Sequence, residues 1–233
     1  MPVVPHFPEE DSKLRATSLQ TRRGGNGPNT LEVLQQLLRK EVCGRAITPY
    51  LITCLPSAES PATNSILQSF GPDALVNLTR CIYRPGENPA SSYIIRSEET
   101  GSRTLVSYSD LADMTVDEFI EAVSDIGEDA WFHFEGRTPE TTLRCIQYLR
   151  RSVPKASISV EVEKPGREGL EELAAEADVV FYSRTWAECL EAQSGVARRA
   201  SILPSDNAGT GHSGRGVSET AVKNATEVTK RQW

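Results

Sequence analysis

Between Thr115 and Gln193 the chain alternates helical and strand patterns, and that alternation leaves few folds open. Thr115-x-x-Glu118 has the spacing of a capping box ahead of Phe119, Ile120 and Val123, and Gly127 is expected to stop that helix. Trp131 to Phe134 reads as a short apolar strand. Thr138-Pro139 opens a helix with proline at its first position, and Leu143, Ile146 and Leu149 line its expected buried face. Ser157 to Glu163 alternates strictly, as a strand does, and Leu170, Leu173, Ala174 and Ala177 form a helical stripe. Val179 to Tyr182 is continuously apolar, the pattern of a buried parallel strand, and Thr185 to Gln193 is expected to be helical. Helices regularly interleaved with strands imply right-handed crossovers and a layered α/β sheet.

The N-terminal half is less regular. Leu31, Leu34 and Leu38, widened by Leu37, make a helical stripe that Asn29 can cap. Ile66, Leu67 and Phe70 suggest a short helix ended by Gly71-Pro72. Ser91 to Arg96 and Thr104 to Tyr108 read as strands joined by a turn over Glu98 to Ser102, with Gly101 near its tip. Met1 to Glu10 is proline-rich and acidic with no apolar run, so neither a strand nor a secretory signal is expected there. Near Ser194 the character changes. Residues 205–218 are rich in Gly, Ser, Asn and Thr, which reads as loop or disorder, and Ala221, Val222, Ala225 and Val228 suggest a last helix over 218–230. The expected division is one domain over residues 1–198 and an irregular tail over 199–233.

Charge and composition exclude several classes. A net charge of -7 argues against a general nucleic-acid binder, and no run approaches the roughly 20 apolar residues of a bilayer span. The five cysteines, Cys43, Cys54, Cys81, Cys145 and Cys189, form no C-x-x-C pair, and His6, His133 and His212 are scattered, so no metal cluster is expected. Thiols in such a pattern fit a reducing, cytoplasmic setting.

The stretch with the clearest chemical promise is Arg22-Arg23-Gly24-Gly25-Asn26-Gly27-Pro28-Asn29. Two glycines ahead of a helix let the backbone approach a ligand, and the helix start and the two amides offer fixed donors and acceptors. A polyhydroxylated ligand suits such a site; a plain glycine turn with an asparagine cap also accounts for it. Gly209-x-Gly211-x-x-Gly214 matches a dinucleotide fingerprint by letter, but follows no convincing strand and opens no βαβ unit.

Five blocks occur in the order and spacing of one family. Glu10-Asp11-Ser12 precedes Gly24-Gly25-Asn26-x-x-Asn29. Gly101-Ser102-Arg103-Thr104 resembles a G-S-R-T turn, and Trp131-Phe132-His133-Phe134-Glu135-Gly136-Arg137 resembles W-I-H-I-E-G-R. Ser159 to Pro165 reads S-V-E-V-E-K-P, and Asp178-Val179-Val180-Phe181 follows. Over roughly residues 8 to 190 the chain thus resembles the ribokinase/PfkB carbohydrate kinases, most of all their ketohexokinase branch. The resemblance implies a three-layer αβα sandwich with a small β-sheet lid, truncated here, and transfer of the ATP γ-phosphoryl to a sugar hydroxyl with Mg2+. It places Asp11 on a lid strand as an acceptor for sugar hydroxyls. Gly25, Asn26 and Asn29 become the sugar-contacting turn, Arg103 a phosphate ligand and Glu135 a further sugar candidate. Lid strands near 11–23 and 91–108 imply a homodimer clasped through the lid.

Three departures qualify the resemblance. The family opens with an apolar strand that carries an aspartate, and Met1 to Glu10 is not expected to replace it. Ser183 and Trp186 stand where an N-x-x-E would organise magnesium. The family's D-T-x-G-A-G-D loop, whose last aspartate is the general base, finds its nearest match in Asp206 to His212. There His212 stands in the place of the base, so no catalytic residue is assigned. An internal deletion or altered splicing accounts for the early position of that match, and so does coincidence in a glycine-rich tail. The resulting alternatives are a working sugar kinase and a sugar-binding or dimerising remnant without catalysis.

Overall fold

The computed structural model describes residues 1–40 and 47–190, and the chain divides into two units, Met1–Ser124 and Asp125–Trp233. Cys43, the match at 206–212 with its His212, the letter match at 209–214 and the helix expected over 218–230 lie outside the described residues.

The first unit holds β1 (Pro2–Val4), β2 (Ser18–Leu19), α1 (Asn26–Leu38), β3 (Cys54–Pro56), α2 (Pro61–Gln68), β4 (Ile82–Arg84), β5 (Ser91–Ser97), β6 (Arg103–Tyr108) and α3 (Val116–Val123). One sheet has the order β2-β1-β5-β6, with β1 parallel to β5 and the other two pairings antiparallel. The N-terminal expectation is therefore corrected. Pro2–Val4 is a strand, because Val3 and Val4 pair with Arg96 and Ser97 and the side chain of Val4 is buried. Three residues are too short to show as a period, and the prolines around them mask the pairing. This strand carries no aspartate. A second, parallel pair, β3-β4, gives no periodic signal in the sequence because each strand has only three residues. Leu51, Leu55, Phe70, Val76 and Cys81 form the core, with Leu31, Ile66, Leu67 and Leu78 packed on it. Gln35 is buried on α1 at no loss of hydrogen bonds: Nε2 donates to the Phe70 carbonyl at 3.1 Å and Oε1 accepts from the Leu75 N–H at 3.2 Å.

Two helix boundaries move for identifiable reasons. α1 begins at Asn26, with Gly25 as its N-cap, so Asn29 lies inside the first turn instead of capping it. α3 ends at Val123, before Gly127. Its expected capping box is present: the Thr115 side chain accepts from the Glu118 N–H at 3.3 Å, and the Glu118 carboxylate accepts from the Thr115 N–H at 2.9 Å.

The second unit has the expected order. β7 (Trp131–Glu135), β8 (Ser157–Val162) and β9 (Val179–Tyr182) form a parallel sheet in the order β7-β8-β9. α4 (Pro139–Ser152), α5 (Leu170–Glu176) and a helix over 184–190 follow the three strands in turn. Ile158, Val160 and Val162 of β8 are wholly buried, as are Ile146 and Leu149 of α4 and Leu173 of α5. On α4, Leu143 is only half-buried, while Thr142 and Cys145 join Ile146 and Leu149 inside. β9 is parallel, as its apolar run implies, but it is the edge strand among the described residues, and Phe181 is 47% exposed.

Candidate functional site

The start of α1 brings Gly25, Asn26 and Asn29 together. Gly25 has φ 95°, and a Cβ there would stand 3.1 Å from Pro28 Cδ, so only glycine fits without strain. Its carbonyl accepts from the Asn29 N–H at 3.1 Å, which closes the first turn. Gly25 supplies no capping side chain, and the first turn carries no acid to meet the positive end of the helix. Asn26 and Asn29 are three residues apart on one helix face, and both are exposed. The turn thus presents two amides from a rigid base.

Arg23, which sequence reasoning did not single out, ties this turn to the core. Its guanidinium lies 4.4 Å from the centre of the Phe70 ring, Nε donates to Ser69 Oγ at 2.7 Å, and one terminal nitrogen donates to Asn29 Oδ1 at 3.3 Å. The other terminal nitrogen pairs with Glu32. Nothing in sequence spacing marks such a contact, since Ser69 and Phe70 are remote along the chain.

Asp11 is not on a strand. It sits in a turn between β1 and β2, exposed, with φ 58°, and the Ser12 hydroxyl and N–H both reach the Glu9 carbonyl across that turn. Aspartate tolerates the left-handed region better than most residues, which is why the turn, and not the ladder, claims it.

Arg103 opens β6, exposed, directly opposite Arg96 of β5. The turn between them is well tied: Gly101 has φ 67°, the Ser97 N–H donates to the Ser102 carbonyl at 3.0 Å, and the Thr100 and Ser102 hydroxyls are 2.7 Å apart. Two cations facing each other across a ladder are unfavourable alone, and an anion between them removes the penalty. The pair therefore fits a phosphate group.

Glu135 ends β7 in the second unit, opposite Glu161 of β8. Gly136 then turns the chain where a Cβ would come within 2.6 Å of the Glu161 carbonyl oxygen, so the carboxylates are held at the C-terminal edge of a parallel sheet. On the same face Trp131 Nε1 donates to Ser159 Oγ at 2.8 Å, and His133 Nδ1 lies 2.9 Å from that hydroxyl. Burial pushes the His133 imidazole below its ordinary range, against the pull of Glu161 and Glu135. Ser183 and Trp186 serve packing: Ser183 Oγ accepts from the Trp186 N–H at 3.1 Å, and the buried Trp186 ring stacks on Tyr182. Among the described residues no three acids, histidines or cysteines cluster to hold a metal ion. Among the described helices none is long and apolar enough to cross a membrane.

No family model matches the chain. It is similar in structure to a ribokinase from Giardia lamblia, with TM-score 0.62 and 13% identity over 87% of this chain and 62% of that one. It is also similar to a fructokinase with bound ATP from Xylella fastidiosa, with TM-score 0.51 and 18% identity over 77% of this chain and 57% of that one. The fold is that of the ribokinase-like sugar kinases. In sequence the chain is similar to ketohexokinase from mouse (Mus musculus), to which it is 29% identical over 202 residues, 83% of this chain. It spans 63% of that relative's length.

Proposed function

We propose that this chain acts in ATP-dependent phosphorylation of a sugar hydroxyl, with the described residues forming the sugar-binding side. The observation that carries this reading is the start of α1, where a glycine with positive φ sets Asn26 and Asn29 on one exposed face. Its support is the similarity to ketohexokinase over 83% of the chain. In this reading Asn26, Asn29 and the Gly25 backbone hold sugar hydroxyls, Asp11 adds a carboxylate acceptor, and Arg103, with Arg96 beside it, meets the phosphates of ATP. Magnesium enters with the nucleotide. Leu19, Tyr93, Leu105, Val106 and Tyr108 leave apolar surface open on β2, β5 and β6, which fits a second copy of this chain as the homodimer partner. The acidic balance and the thiols Cys54, Cys81 and Cys145 fit a cytoplasmic protein without nucleic-acid or membrane partners.

A second reading is favoured by one residue. His212 stands where the sequence match expects the aspartate base, which suits sugar binding without transfer. Two measurements on the full chain decide: ATP consumption with D-fructose, and thermal melting with and without it. Turnover that falls in Asn26→Ala supports the kinase. A fructose-dependent rise in melting temperature without turnover supports binding alone. Neither effect overturns both.

A further inference from the structure

Arg23 immediately precedes the two glycines, and its side chain is only 6% exposed. A guanidinium taken out of water needs its donors met, and Arg23 divides its fork between α1 and the end of α2. Ser69, which receives Nε, is the C-cap of α2 and in turn donates to the Ile66 carbonyl at 2.6 Å. Phe70, under the guanidinium, belongs to the buried core. Asn29 and Glu32 lie one helical turn apart on α1, and both are held by the terminal nitrogens. Arg23 therefore references the first turn of α1 to the rigid end of α2.

The chemistry of that contact fixes more than position. A guanidinium has donors and no acceptor, so only the carbonyl oxygen of the Asn29 amide can face it. The amide is then barred from flipping, and its NH2 end is left as the end available to a ligand. We propose that Arg23 is a positioning residue that locks Asn29 as a hydrogen-bond donor toward a sugar oxygen. The inference rests on the sugar-side reading above and adds to it which end of Asn29 the sugar meets.

Two variants of the full chain test this with D-fructose titrated calorimetrically. Asn29→Asp keeps an acceptor for Arg23, makes the bond charge-assisted and puts an acid into the first turn of α1, so the protein melts no lower than wild type. It loses the donor, and fructose affinity is expected to fall roughly tenfold or more. Wild-type affinity in Asn29→Asp overturns the proposal. Arg23→Lys retains the charge, but a single ammonium cannot reach Ser69, Asn29 and Glu32 together. Its folded fraction is expected to bind fructose more weakly, whereas Glu32→Gln, which leaves the Asn29 bond in place, lowers the melting temperature without changing affinity. Equal affinities in Arg23→Lys and wild type mean a purely structural arginine and overturn the proposal; if Arg23→Lys does not fold, Asn29→Asp decides. If wild type itself binds no fructose, the sugar-side reading fails separately. The side-chain amide resonances of Asn29, identified by their loss in Asn29→Asp, then decide on Arg23: they are expected to shift in Arg23→Lys, and unmoved resonances overturn the lock.

Discussion

Two backbone positions show how conformation and chemistry separate at single residues. Asp11 holds φ 58°, where a side chain costs roughly 1–2 kcal/mol and glycine costs little. Asp11→Gly is expected to hold or raise the melting temperature while weakening fructose binding; if affinity is unchanged, Asp11 is a turn residue without a ligand. Gly136 behaves in the opposite way. A Cβ there would meet the Glu161 carbonyl at 2.6 Å and Leu170 Cδ2 at 2.7 Å, and the carbonyl belongs to a buried central strand that cannot yield. Gly136→Ala is expected to destabilise the second unit by about 2 kcal/mol or more, read by chemical denaturation. Of the site, the sequence made Gly25, Asn26 and Asn29 legible because they lie within one turn of chain and their chemistry is local. Arg23 was not legible, because its role exists only through Ser69 and Phe70, which the fold brings to it.

Elements with strong local signals matched the sequence reading. The capping box of α3, the proline start of α4 and the alternation in β8 each express an interaction within a few residues. β1, β3 and β4 have three residues each and owe their existence to pairing partners, so no period announces them. α3 also shows how tertiary contact strengthens a local motif. Glu118 closes the box and meets both terminal nitrogens of Arg84 from β4, one at 2.8 Å, and Arg84 reaches the Asp113 carbonyl at 3.1 Å. The Arg84 hydrogen bonds, and then those from Thr115, hold the Glu118 carboxyl down at about 2, below the ordinary 4.5. A depressed carboxyl stabilises the fold above its unfolded value. That stabilisation is therefore complete above pH 4.5 and is lost as pH falls toward 2. Glu118→Gln is expected to melt lower than wild type at neutral pH, and the gap is expected to close on acidification through this window. A gap that stays constant with pH shows that the ionised pair contributes nothing.

At the scale of the molecule, the β5–β6 hairpin leaves large apolar side chains open to water. Every residue of β6 is exposed, and the register sets Tyr93 directly opposite Val106, each 66% exposed, so their side chains share one face. A cross-strand aromatic and β-branched pair of this kind stabilises a hairpin, but it does not need to face water to do so. Tyr108 on the same strand and Leu19 on β2 extend that face, while Leu105 is exposed on the opposite one. Single exposed apolar residues are ordinary, whereas contiguous ones mark a binding surface. A second copy of this chain covers that surface in the homodimer reading, and light scattering after size exclusion is expected to return twice the 25.6 kDa of one chain. Tyr93→Lys combined with Val106→Lys places two like charges on the face and is expected to give a monomer. The variant's circular dichroism and its fructose affinity at Asn26 and Asn29 are expected to survive, because neither residue lies on the hairpin. A wild-type protein that elutes as a monomer at every accessible concentration, with the double variant unchanged, excludes the clasp and leaves this hairpin as a lid without a partner.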